Sequence, residues 1–129
     1  MPLNTIESFN GQVDSRFSQS VEKVSPLTPS SNAVTINPNE ASLFHITCSS
    51  NTTISISAVD NRYVKTGSSL SILLERSSNS IVITWPNNIV WKGNTAPELT
   101  AKDMIILTTF GDGSTTTWYG SCISLVEFD

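Results

Sequence analysis

The sequence predicts an all-β domain, an antiparallel β-sandwich of jelly-roll-like type, with an N-terminal arm or short helix ahead of it. Three observations carry this. Apolar residues recur at every second position through six successive runs, the period that places every second side chain on one face of a strand. Clusters of Ser, Asn, Gly and Pro separate those runs. Surface polarity comes from Ser, Thr and Asn, while charged residues make up only 14% of the chain. At 129 residues the chain has the size of one domain. It divides into an assembly segment over 1–31 and the sandwich over 32–129.

The arm is set apart by its spacing. Ile6, Phe9, Val13, Phe17, Val21 and Val24 recur every three or four residues, as on one side of a helix. Gly11 weakens a continuous helix, and the Pro-containing stretch at 25–31 ends it. An extended arm or an ordinary first element fits the same residues, and in every case the apolar side needs a partner. The first clear strand puts Phe44, Ile46 and Cys48 on one face, and the next Ile54, Ile56 and Ala58. Leu70, Ile72 and Leu74 follow, then Ile81, Ile83 and Trp85. Met104, Ile106, Thr108 and Phe110 alternate with Ile105 and Leu107. In the last run Trp118, Cys122 and Val126 alternate with Tyr119, Ile123 and Leu125. Ile54, Ile72, Ile83, Trp85, Ile106 and Trp118 are the expected core. The last two runs are apolar on both faces, so both faces need cover, with the interior on one side and a neighbouring subunit on the other.

The composition argues against several functions. Seven basic residues are scattered through a chain of net charge −4, which does not suit the phosphate neutralisation that drives nucleic-acid binding. No apolar run approaches the ~20 residues of a spanning helix, and the start lacks the pattern of a signal peptide, so neither membrane nor secretion is expected. The Asn51-Thr52-Thr53 sequon then has no meaning. Cys48 and Cys122 read as small buried hydrophobes, with a bridge between neighbouring strands as the alternative.

No catalytic, cofactor or metal site is expected. His45 is the sole histidine and reads as a strand-edge residue. The cysteines lack zinc spacing, and Gly111-Asp112-Gly113 reads as a tight turn rather than a calcium loop. Asp60 and Asp103 would form a glycosidase pair only if the fold brought them within roughly 5–10 Å. Trp85 and Trp118 fall in register with core faces. Trp91, in a short Pro-bounded segment, is the expected exposed or interfacial ring and joins Phe9, Val13, Phe17 and Val21 as a candidate interface residue.

Residues 41–128 resemble the β-rich terminal modules of tailed-bacteriophage tail-fibre and other virion appendage and decoration proteins. The resemblance lies in Trp85-Pro86, Trp91, Ala96-Pro97-Glu98-Leu99-Thr100, Asp103 and Gly113-Ser114-Thr115-Thr116-Thr117-Trp118-Tyr119-Gly120, with the threonine-rich strands around Thr47 and Thr52-Thr53 upstream. Lys92-Gly93-Asn94 stands where that module often carries a Gly pair, and its cysteines are atypical. The resemblance implies a non-enzymatic structural protein of the virion, made in the host cytoplasm. The favoured role is a capsid decoration (cement) or head-fibre protein that binds and stabilises the shell. Its expected partners are the major capsid protein or other virion proteins, and itself as a dimer or trimer. The alternative is a short tail fibre or adsorption protein binding a host-surface glycan.

Overall fold

A computed structural model describes residues 21–59, 67–110 and 116–129. The fold is all-β, with a single 3₁₀ turn over Lys92–Asn94 among the described residues. The strands are β1 (Val24–Leu27), β2 (Ala33–Ile36), β3 (Leu43–Cys48), β4 (Thr52–Ile56) and β5 (Ser68–Arg76), followed by β6 (Ile83–Thr84), β7 (Ile89–Trp91), β8 (Lys102–Thr109) and β9 (Trp118–Val126). A six-stranded sheet runs β1-β3-β5-β8-β9-β7, and a three-stranded sheet runs β2-β4-β6.

The chain visits the two sheets alternately through its first six strands. β1, β3 and β5 are parallel neighbours in the larger sheet, and β2, β4 and β6 in the smaller. This is a short solenoid winding, in which each turn of chain stacks on the one before. Among the described strands, β5-β8 and β8-β9 pair antiparallel, while β7 joins β9 in parallel. The expected antiparallel arrangement therefore describes the last third of the chain and fails for the first two thirds. Its period of two is common to both kinds of ladder and does not distinguish them.

The Asn- and Ser-rich clusters are the corners of this winding rather than hairpin turns. Ser31 and Asn32 take left-handed φ angles of 52° and 63° between β1 and β2, a conformation asparagine tolerates well. The next corner sits on this one: Thr53 donates its N–H to Asn32 O, and Ser50 Oγ donates to Asn32 Oδ1. The third continues the stack, with Val82 N–H donating to Asn51 Oδ1 and Thr52 N–H to Val82 O.

Both sheets contribute to one core. Val34, Ile36 and Ile54 of the smaller sheet cluster with Phe44, Ile46, Cys48, Leu70, Ile72, Leu74, Ile105, Leu107 and Trp118 of the larger. Ile83 and Trp85 pack against this cluster while partly exposed. Three expectations need correcting. Ile106 is half-buried on the outer face of the larger sheet, because Ile105 and Leu107 take the inward positions of β8. Trp91 is buried, not exposed: its strand lies beside Gly120, where a Cβ would come within 2.8 Å of the indole ring. Finally, Val24 belongs to a strand paired with β3, so the sheet domain extends back into the 1–31 segment assigned to the arm.

Candidate functional site

The outer face of the six-stranded sheet can be built residue by residue from the register. Pro26, His45, Leu73, Met104 and Ile123 are opposite one another across β1, β3, β5, β8 and β9. The adjacent row is Val24, Leu43, Ser71, Ile106 and Ser121. Towards one end follow Ser69, Thr108, Tyr119 and Val90, and towards the other Thr47, Glu75, Lys102 and Val126. Between Asp103 and Lys102 the partner strand steps from Ser124 to Val126, so Leu125 is an extra residue that bends the end of β9.

This face is apolar over much of its width. Ile123, Tyr119, Val90 and Val126 are between 45% and 49% exposed, and Val24 is 53% exposed. The Phe110 ring leans on Tyr119 at 6.0 Å between centroids and is itself exposed. Leu43, Leu73, Met104 and Ile106 are half-buried among them. Contiguous apolar surface of this kind marks sites of contact with another macromolecule.

The polar end of the face holds a trio of polar side chains. His45 Nε2 lies 2.5 Å from Glu75 Oε2, and Lys102 Nζ lies 3.3 Å from Glu75 Oε1. The His45 contact, opposed by partial desolvation and aided by Lys102, holds the Glu75 carboxyl below its ordinary pKa. The site is an open sheet surface. Neither of the grooves described below includes His45, and no group of three or more potential metal ligands occurs among the described residues.

A depressed carboxyl pKa adds stability that is full above the unfolded value and disappears as pH falls through the folded one. Unfolding wild type and Glu75→Gln in urea between pH 3 and 7 should therefore show wild type losing the larger increment below about pH 4.5. The difference should stay within ~1 kcal/mol, because the trio is exposed to solvent. Parallel acid limbs in the two proteins would show the trio contributes nothing to folding.

Asp103, Cys122 and Arg76 serve the fold. Asp103 is fully buried; its carboxylate accepts hydrogen bonds from Thr100 N–H at 2.8 Å and Thr100 Oγ1 at 2.7 Å, closing the turn into β8. Asp103 is therefore spent on this turn, and Asp60 lies outside the described residues. Cys122 Sγ lies 3.9 Å from Asp103 Oδ1, and burial together with that carboxylate pushes its thiol up to about 11, leaving it a protonated, unreactive thiol. Cys48 and Cys122 are both free. Arg76 is buried beneath Phe128, and its guanidinium donates to backbone carbonyls of Ile81, Leu99 and Thr100.

Two shallow grooves lie away from the trio. One of about 440 Å³ is lined by Arg76, Ile83, Trp85 and Pro97 among others. Trp85 meets Trp91 edge-on, with centroids 5.1 Å apart. The other, of about 340 Å³, is lined by Val90, Trp91, Lys92, Tyr119, Gly120 and Ser121.

Of the candidate interface residues, Phe9, Val13 and Phe17 lie outside the described residues. Val21 is 83% exposed, and Trp91 is in the core. Among the expected core residues, Ile54, Ile72 and Trp118 are buried. The sequence pointed to β8 and β9 as apolar on both faces. Leu43 and Leu73 were overlooked because only the strand order sets them beside Met104 and Ile123. No family model, curated protein or solved structure matches this chain.

Proposed function

We propose that this chain is a non-enzymatic structural subunit of a tailed-phage virion, acting as a capsid decoration or head-fibre protein that grips the shell. The observation that carries this reading is the half-exposed apolar outer face of the six-stranded sheet, on which His45, Glu75 and Lys102 lie open on a flat surface. The finer architecture proposed is a sandwich in the layer sense, two facing sheets wound as a solenoid rather than a jelly roll. The virion assignment draws its support from the resemblance of residues 41–128 to phage appendage modules. The mechanism is mechanical: burying apolar surface against neighbouring shell subunits raises the cost of pulling them apart. Specific contacts of this kind need roughly 1,000 Å² or more of buried surface.

A binding assay on purified tailless heads tests the reading. Wild-type protein should sediment with heads in many copies per particle. A variant carrying Ile106→Lys and Ile123→Lys should lose about tenfold or more in affinity, as charging the centre of an interface does, with its unfolding midpoint little changed. Heads that leave the wild-type protein in the supernatant would overturn the assignment.

A second reading, an adsorption protein binding a host-surface glycan, is favoured by the 340 Å³ groove, where the half-exposed Tyr119 ring lies near Lys92 and Ser121. It calls for competition with phage for host cells that Tyr119→Ala abolishes.

A further inference from the structure

We infer that the open edge of β6, with the groove beside it, is a slot for one extended strand donated by a different protein. That strand would carry apolar side chains at alternate positions and a lysine or arginine among them. The slot lies in the other layer from the proposed shell contact and is independent of it.

The two sheets differ in length. The winding sets β1, β3 and β5 of one against β2, β4 and β6 of the other, but the larger sheet then continues through β8, β9 and β7. Among the described strands β6 has β4 as its one neighbour, so the smaller sheet stops short beside β8. The backbone shows which groups are left open there. Val82 N–H donates to Asn51 Oδ1, and Val82 O accepts from Thr52 N–H, so both groups of Val82 point towards β4. Successive residues of a strand direct their N–H and C=O to opposite edges. Those of Ile83 therefore point away from β4, where no strand stands to meet them. Ile81 O is on the same side and is already taken by Arg76 Nη1 at 2.7 Å.

A groove of about 440 Å³ runs along this edge, with residues 96–99 as its far bank. Ile83, Trp85 and Leu99 line it as half-buried apolar side chains. The far bank leaves place for a single strand and not for the sheet that a second copy's β6 would bring. End-on stacking of a second copy is blocked as well, because β8 occupies, beside β5, the place its β1 would take. Charge then narrows the partner. Arg76 on the floor spends its N–H groups on carbonyls of Ile81, Leu99 and Thr100 and on Asn79, leaving none for a partner's carboxylate. Glu98 on the rim is exposed and forms no ion pair among the described residues, so the charge open to a partner is negative. Strand addition of this kind draws affinity from main-chain bonds and selectivity from alternate side chains.

The test uses the full chain and short synthetic peptides that alternate Val and Thr around one central Lys. Calorimetry reads binding up to ~1 mM peptide, and amide hydrogen exchange followed by NMR reads the edge. The Lys peptide should bind and slow exchange at the Ile83 amide by about tenfold or more. A peptide with Glu in place of that Lys should bind wild type about tenfold more weakly and recover on Glu98→Lys, as a reversed charge pair requires. Methylating the central backbone nitrogens of the Lys peptide should abolish binding. A Lys peptide that leaves Ile83 exchange unchanged overturns the inference, as does equal binding of the Lys and Glu peptides or of the methylated one. Ile83 exchange that slows with protein concentration alone would give the slot to a second copy and overturn it too.

Discussion

Replacing Trp118 with alanine should destabilise the fold by about 3–5 kcal/mol, the range for removing a large aromatic side chain from a core. Trp118 is 1% exposed and is among the bulkiest fully buried side chains described. It opens β9, the strand that links the antiparallel pair to β7, and it stands opposite Ile89 in the register. Its N–H donates to Asn88 O at 2.9 Å, and Asn88 Nδ2 donates to Thr116 O at 2.8 Å, so the start of β9 and the approach to β7 are tied at this point. Loss of the indole leaves a void where that strand joins the core. The check is urea unfolding followed by far-ultraviolet circular dichroism, with a midpoint temperature lower by roughly 10–20 °C. A loss under about 1 kcal/mol would mean that the surrounding side chains close over the gap, contrary to the usual stiffness of a packed interior.

Arg76→Met should cost about 3 kcal/mol or more, although methionine is apolar and of suitable length for a buried site. The guanidinium lies at the centre of a set of carbonyls rather than beside a carboxylate. It donates to Ile81 O at 2.7 Å, to Leu99 O at 2.6 Å and to Thr100 O at 3.1 Å, with longer bonds to Asn79. The Phe128 ring covers it at 5.3 Å. Methionine would leave several of those carbonyls without a donor, at roughly 1–3 kcal/mol for each one shut away from water. Arg76→Lys should recover only part of the loss, because one ammonium cannot reproduce the planar fork that reaches two loops at once. Hydrogen exchange should locate the damage: amides at residues 79–82 and 99–101 should lose protection before those of β3. Uniform loss of protection across the sheet would rule out a local clamp.

Much of the strand content could be read from the alternation alone. Phe44, Ile46 and Cys48, and Leu70, Ile72 and Leu74, point inward as their spacing requires. The order and direction of strands could not be read, because a period of two carries no sign for parallel against antiparallel pairing. The spacing of the Ser- and Asn-rich clusters reads as antiparallel structure, although such a turn serves equally to carry the chain from one sheet to the other. β1, β2 and β7 escaped notice because each is four residues or fewer, and the Pro-containing stretch at 25–31 reads as the end of the arm. Proline is tolerated there because β1 is an edge strand. The candidate face was half legible: Met104, Ile106, Tyr119 and Ile123 belong to runs visibly apolar on both sides. The Glu75 contacts with His45 and Lys102 depend on β3, β5 and β8 being neighbours, which no local pattern announces.

The seating of Asn32, Asn51 and Val82 on successive corners has a consequence for how such a chain can change in length. Each circuit of backbone meets only its neighbours, so duplication of a complete circuit would leave every existing side chain on its present side. Gain or loss of one residue within β3 or β5 would instead invert the inside and outside of the strand beyond it. Growth of the molecule is thus quantised: whole windings are admissible and fractional ones are not.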